Sequence, residues 1–237
     1  KYIFFIYKIF FKNLNQKFVL INKNINQVFN FPREKFIVLE SPVDIKDFNY
    51  NKKKFKKSCV YTGSFFDGKG FDKIIKISKI LKEIDFYVYG DLKYLKDKSL
   101  INKYSNLKIY SYKQYSKIPY IISQHKVCLL PYEKKVYVKS KSVTAEKFMS
   151  PLKLMEYMAS KKVIIASKMQ IYEHILKNQK NSFLVKSDDL KKWTTTIRYV
   201  FKNYNKLKYI RSNAYDTAKK FDVNQRAIKI INFFDTN

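Results

Sequence analysis

The stretch "SPLKLMEYMAS" (150–160) places a lysine and a glutamate three residues apart. At that spacing Lys153 and Glu156 share one face of a helix. Ser150 reads as the N-cap, and the third residue after it, where a glutamate would complete a capping box, is a cation. Lysine in the first turn opposes the helix dipole at a cost of a few tenths of a kcal/mol, up to about 1. A broken local rule of this kind suits a ligand. An anion at the helix start would meet backbone amides, the dipole and an ammonium together. One turn on, a carboxylate can accept both hydroxyls of a vicinal diol. Taken alone, the pattern of this one helix favours an exposed Lys153–Glu156 pair contributing well under about 1 kcal/mol.

A second constellation is "GSFFDGKG" (63–70), between a strand-like run and a helical one. Its amides could cradle a phosphate. The spacing G-x4-G-K matches a Walker A loop in all but the last position, where Gly70 replaces the Ser or Thr that would hold magnesium. "FYVYGD" (86–91) imitates the matching acidic strand, with Asp91 one residue late. A P-loop NTPase is therefore one reading, although it gives Lys153 no role. A plain strand-turn-helix with Lys69 in solvent is another.

The elements that must position these residues show a clear rhythm. Strands are expected at 59–63, 86–90, 107–111, 126–131, 162–167 and 182–185. Helical segments separate most of them: Phe71, Ile74, Ile75 and Leu81 share one face, a polar helical stretch follows 86–90, and Leu190, Trp193, Ile197 and Val200 form a stripe after the last strand. Near-continuous apolar strands alternating with helices predict an α/β fold with a doubly wound, Rossmann-like parallel sheet. Ligands of such sheets bind at the strands' carboxyl ends. Residues 17–22 and 35–48 hold two further strands with a short helix between them, the end of a second α/β domain. The long polar connection at 133–149 and an amphipathic helix over 223–234 complete the chain. The expected division is 1–50 as an incomplete α/β domain plus linker, 51–221 as the parallel-sheet domain, and 222–237 as a C-terminal helix.

Composition narrows the function. The 237 residues carry a formal charge of +30, from 49 Lys+Arg against 19 Asp+Glu. Only four of the basic residues are arginine, and the lysines are spread along the whole chain. That argues for solvated faces rather than a nucleic-acid-binding module, and no zinc-finger, basic-zipper or RNA-recognition pattern is present. Charge-driven binding of nucleic acid remains an alternative, as does attraction to an anionic membrane. Cys59 and Cys128 stand alone, without CxxC spacing, so a reducing compartment and no metal site are expected. His125 and His174 are isolated and read as structural. The apolar run Tyr2–Phe11 is too short to span a bilayer and contains Lys8, and no small-residue cleavage site follows. The sequence opens on Lys1, as a fragment would.

Taken in order, "VYTGSFFDGKGFDKIIKI", "FYVYGD", "KVCLLPY", "SPLKLMEYMASKKVIIAS" and "NSFLV" resemble the C-terminal, nucleotide-sugar-binding half of a GT-B glycosyltransferase, and most closely family 4, the "group 1" transferases. "IVLESPVDIKDF" (37–48) resembles the segment joining the two halves. The resemblance spans roughly residues 17–234. It would make 1–50 the acceptor side, 51–221 the nucleotide-sugar-binding domain and 222–237 a helix returning toward the other half. It implies that Gly63, Lys69 and Gly70 lie near the donor diphosphate, with Ser64 in the same loop, and that Ser150, Pro151, Leu152 and Lys153 start the helix the diphosphate approaches. Glu156 would hold the ribose diol, and Tyr112 and Lys113, within "YSYKQ" (110–114), would lie where the base is held. Lys69, Lys153 and Glu156 are the candidate catalytic residues. Ser64 stands where many members have arginine, and Phe148 stands where the family's second glutamate would be, so Glu146 is the substitute considered for contact with the sugar.

The resemblance implies a retaining, metal-independent hexosyl transfer from a nucleotide diphosphate sugar to a glycan or lipid-linked acceptor. Cell-surface polysaccharide synthesis would be its setting, in the cytoplasm or at the inner membrane face. The nucleotide sugar is a substrate and no cofactor is expected. A nucleotide-binding domain without catalysis is the remaining alternative.

Overall fold

The computed structural model describes residues 16–50, 56–138 and 143–235. The apolar run Tyr2–Phe11 and residues 139–142 of the long connection lie outside them. Near the N-terminus, strands β1 (Phe18–Leu20) and β2 (Phe36–Val38) pair in parallel across the short helix α1 (Lys23–Phe29). A six-stranded sheet follows, built from β3 (Lys56–Thr62), β4 (Asp85–Gly90), β5 (Leu107–Ser111), β6 (His125–Leu130), β7 (Val163–Ser167) and β8 (Phe183–Val185). Its spatial order is β5-β4-β3-β6-β7-β8, and every pairing is parallel. Numbered within the sheet, this is the 3-2-1-4-5-6 order of a doubly wound fold.

Alternation along the strands builds one core layer on each face. Cys59, Val127 and Leu129 enter the layer under α2 (Phe71–Ile80) and α5 (Leu190–Asn203), together with Ile74, Trp193 and Ile197. Val60, Cys128 and Leu130 enter the other, with Met155 and Tyr157 of α4 (Leu152–Ala159), Ile122 of α3 (Ile118–Ser123) and Ala214 of α6 (Lys208–Lys219). The expected stripe on α5 is buried at Trp193, Ile197 and Val200. Both cysteines are buried free thiols. His125 bonds Ser58 Oγ through Nδ1, and His174 bonds Glu40.

Two expectations need correction. Residues 91–106 form no α-helix; they fold as short 3-10 turns at Leu92–Tyr94 and Lys98–Leu100. Asp91 and Asp97 each accept a backbone N–H two residues ahead, an Asx arrangement that competes with helix formation. Ser150 does not cap α4. The N-cap is Pro151, and Ser150 instead pairs with the linker: its Oγ accepts the Ser41 amide at 2.8 Å and its carbonyl accepts Ser41 Oγ at 2.8 Å.

The last helix, α7 (Val223–Asp235), follows α6 after a turn in which Val43 bonds the backbone of Phe221 and Val223. It meets the N-terminal unit through Lys17, which donates to the Phe233 carbonyl, and through Arg226, which donates to the carbonyls of Glu40 and Leu39. None of its residues is buried, and Val223, Ile228, Ile231 and Phe234 are exposed.

Candidate functional site

The order of the central sheet reverses between β3 and β6, whose outgoing loops leave in opposite directions. A crevice opens there at the carboxyl ends of the strands. The glycine loop leaves β3, Asp91 follows β4, Tyr112 and Lys113 follow β5, and Tyr132 follows β6. Together with the start of α4 they line a cleft of about 540 Å³.

Gly63 is the first functional residue of the glycine loop. Its φ of +150° is strained for any side chain, and its amide donates to Tyr89 O at 2.9 Å. A Cβ there would also collide with Lys153 Nζ, so the missing side chain is the space the ammonium occupies. Lys69 is half-buried, with Nζ 5.2 Å from the centre of the Tyr132 ring; burial lowers its pKa. Gly70 adopts φ +90° as the N-cap of α2, where a Cβ would collide with the Pro131 carbonyl.

Helix α4 brings the other cation. Its start has no side-chain cap, so its first amides gain nothing from a neighbouring hydroxyl or carboxylate. Lys153 Nζ is completely buried and, among the described residues, has no hydrogen-bond partner. It sits over aromatic faces, 4.0 Å from the Tyr61 ring centre and 5.5 Å from that of Tyr132. Burial lowers its pKa far below the usual lysine range, the nearby Lys69 lowers it further, and Glu156 opposes both. The exposed Lys153–Glu156 pair is therefore not formed. Glu156 is also buried, at 7% exposure, and burial lifts its pKa from near 4.5 to about 7 against the pull of Lys153.

The walls are fixed from behind. Lys73 Nζ donates to the Pro131 carbonyl at 2.9 Å and pairs with Glu133 at 3.0 Å. Ser167 Oγ donates to the Tyr132 carbonyl, and Tyr157 OH accepts the Thr62 amide at 2.9 Å. The site thus offers one half-buried and one fully desolvated lysine nitrogen and uncapped helical amides beside a buried carboxyl group. That set matches a diphosphate attached to a diol-bearing sugar. Among the described residues no group of His, Cys, Asp and Glu clusters as a metal site.

Of the residues singled out in the sequence, Gly63, Ser64, Lys69, Tyr112, Lys113, Pro151, Leu152, Lys153 and Glu156 line the cleft. Gly70, Ser150 and Glu146 do not. Glu146 turns into its own loop, where it accepts from Val136 N and Thr144 Oγ1. Sequence reasoning missed the aromatic bed of Tyr61 and Tyr132. Tyr61 lies in a strand and reads as ordinary core, and only the tyrosine directly after "LLP" hinted at Tyr132.

A family model described as "Glycosyl transferases group 1" matches residues 43–217. Among solved structures, Anabaena HepE in complex with UDP and glucose superposes with TM-score 0.79 at 13% identity, covering 99% of this chain and 67% of that one. A glycosyltransferase from Rickettsia africae gives 0.75 at 15% identity, covering 98% and 68%. The C-terminal domain of a group 1 glycosyl transferase protein, LpcC from Francisella tularensis, gives 0.58 at 18% identity, covering 76% of this chain and 99% of that domain. No curated protein matches by sequence. The chain thus spans about two thirds of the two longer structures, whose likeness establishes a shared GT-B fold. No helix among the described residues is long and apolar enough to cross a membrane.

Proposed function

Because the chain belongs to the group 1 glycosyl transferases, we propose that its cleft binds a nucleotide diphosphate sugar and that the chain is the C-terminal, donor-binding part of a family 4 enzyme. The observation that carries this reading is the buried Lys153 amine, which has no hydrogen-bond partner among the described residues. A cation held in that state is costly unless an anion completes it. The complete relative of the Francisella domain within this chain supports the C-terminal placement, and the UDP and UDP-glucose complexes of the Anabaena protein suggest the kind of donor.

The chemistry follows from the residues. The bond between the anomeric carbon and the diphosphate breaks with negative charge growing on the departing diphosphate, the sugar passes to an acceptor hydroxyl oxygen, and that hydroxyl's proton leaves to the diphosphate. Lys153, Lys69 and the uncapped start of α4 meet that charge without rearranging and do the work a metal ion would otherwise do. Glu156, in its ionised form, holds the ribose diol. Retention of anomeric configuration, a hexose as the transferred sugar, and a glycan or lipid-linked acceptor in cell-surface polysaccharide synthesis complete the reading. The acceptor would enter from the half opposite the cleft. A cytoplasmic enzyme resting at the inner membrane face fits the charge of +30.

The test is a calorimetric titration of the chain with UDP, UDP-glucose, uridine and magnesium ATP. Binding of the first two, far tighter than that of uridine, is expected. Preferential binding and hydrolysis of magnesium ATP would replace this reading with the P-loop one.

A further inference from the structure

Tyr61 joins the two sides of the anion site. Its ring centre lies 4.0 Å from Lys153 Nζ, and its hydroxyl donates to the Ser64 carbonyl at 2.8 Å, directly after the glycine whose missing side chain makes room for that nitrogen. We propose that Tyr61 is a positioning residue for anion binding: its ring holds the Lys153 nitrogen in a dry seat over Gly63 while its hydroxyl fixes the adjoining loop, so that the incoming diphosphate becomes the nitrogen's first hydrogen-bonding partner. This rests on the diphosphate reading above and deepens it.

An aromatic face suits the task. It attracts a cation through its quadrupole but offers no carbonyl or carboxylate lone pair. An aspartate or asparagine in the same place would satisfy the ammonium and compete with the ligand, and an aliphatic side chain would not attract it. The charged groups facing the seat are Lys69 from the glycine loop and Glu156 from the helix that carries Lys153. Tyr61 from β3 and Tyr132 from the loop after β6 face it with hydroxyls that burial keeps protonated. In the empty seat the nitrogen gives up its proton far more readily than an ordinary lysine. When a diphosphate arrives, the charged form gains its partner and the proton returns. Binding is therefore coupled to proton uptake, and diphosphate affinity falls as pH rises above the empty-site pKa of Lys153.

Calorimetry at pH 8, in two buffers of different ionisation heat, reads that proton directly. Wild type, Tyr61→Phe and Tyr61→Leu are each titrated with UDP and with uridine. Wild type should take up protons with UDP and not with uridine. Tyr61→Phe keeps the ring and loses the loop bond, so proton uptake persists and UDP affinity falls only a few-fold. Tyr61→Leu should lose about 10- to 30-fold in UDP affinity with uridine unchanged. UDP binding by wild type without proton uptake would overturn the inference and leave the diphosphate reading standing. So would a Phe variant as weak as the Leu variant, or equal losses for both ligands. If wild type binds no UDP at all, the diphosphate reading fails and takes this inference with it. A thermal melt shows whether Tyr61→Leu folds, and if it does not, wild type and Tyr61→Phe decide.

Discussion

Two lysines bury their side-chain nitrogens beside the loop that follows β6, and their surroundings differ. Lys73 of α2 is 6% exposed and fully used, bonding the carbonyls of Pro131 and Tyr132 and pairing with Glu133. Burial lowers its pKa, and Glu133 opposes the shift. Lys153 of α4 has two aromatic faces and, among the described residues, no hydrogen bond. Removing the first would leave acceptors orphaned. Removing the second would relieve an orphan. A buried cation that is satisfied holds the fold together; one that is not holds free energy in reserve for a ligand.

The contrast can be broken at several points. The largest effect belongs to Lys73→Ala, which loses charge-assisted hydrogen bonds and the packing of a long stem. It should destabilise the fold by roughly 3–5 kcal/mol in denaturant titration. A loss below about 1 kcal/mol would mean that the two lysines do not differ as described.

Glu156 comes next. Its folded pKa of about 7 lies above its usual value near 4.5, so the folded state binds the extra proton. The associated stability is fully present below about pH 4.5 and is lost as pH rises through 7. The loss amounts to as much as about 3 kcal/mol. Glu156→Gln should flatten that part of the pH–stability curve. It should also remove the preference for a ribonucleotide over its 2′,3′-dideoxy analogue. An unchanged curve would place the carboxyl in a less buried setting.

Lys69 is only half-buried and should matter less than Lys153. Lys69→Ala is expected to weaken diphosphate binding about 10-fold, or about 1.4 kcal/mol, and a larger loss than for the Lys153 variant would reverse their order. The smallest effect on the fold is expected on α7. Ile231→Lys lies on an exposed stripe and should change stability by no more than about 0.5 kcal/mol. The exposed stripe should drive self-association of the wild-type chain, and light scattering should show less of it in the variant.

Much of this was legible in the sequence. The strands read directly because buried parallel strands are almost continuously apolar, as in "KVCLL" and "VIIAS". The glycine loop and the odd position of Lys153 also pointed to the cleft. What was not legible depends on contacts between distant residues. Ser150 looked like a cap, but Ser41 claims its hydroxyl. Residues 91–106 looked helical until the Asp91 and Asp97 side chains took the local amides. Glu146 looked like a replacement acid, yet its own loop occupies it. The seat of Lys153 is built from Tyr61 on β3 and Tyr132 in the loop after β6, two strands that become neighbours only in the folded sheet.

The most direct measurement compares Lys153→Met with wild type in two readouts, titration with UDP and with uridine, and thermal melting. Methionine keeps an apolar stem and deletes the nitrogen. The expected result is a 10- to 150-fold loss of UDP affinity, unchanged uridine affinity, and a melting temperature that holds or rises. Equal losses for the two ligands, or a drop in melting temperature with UDP affinity intact, would contradict the account and make Lys153 a structural residue like Lys73.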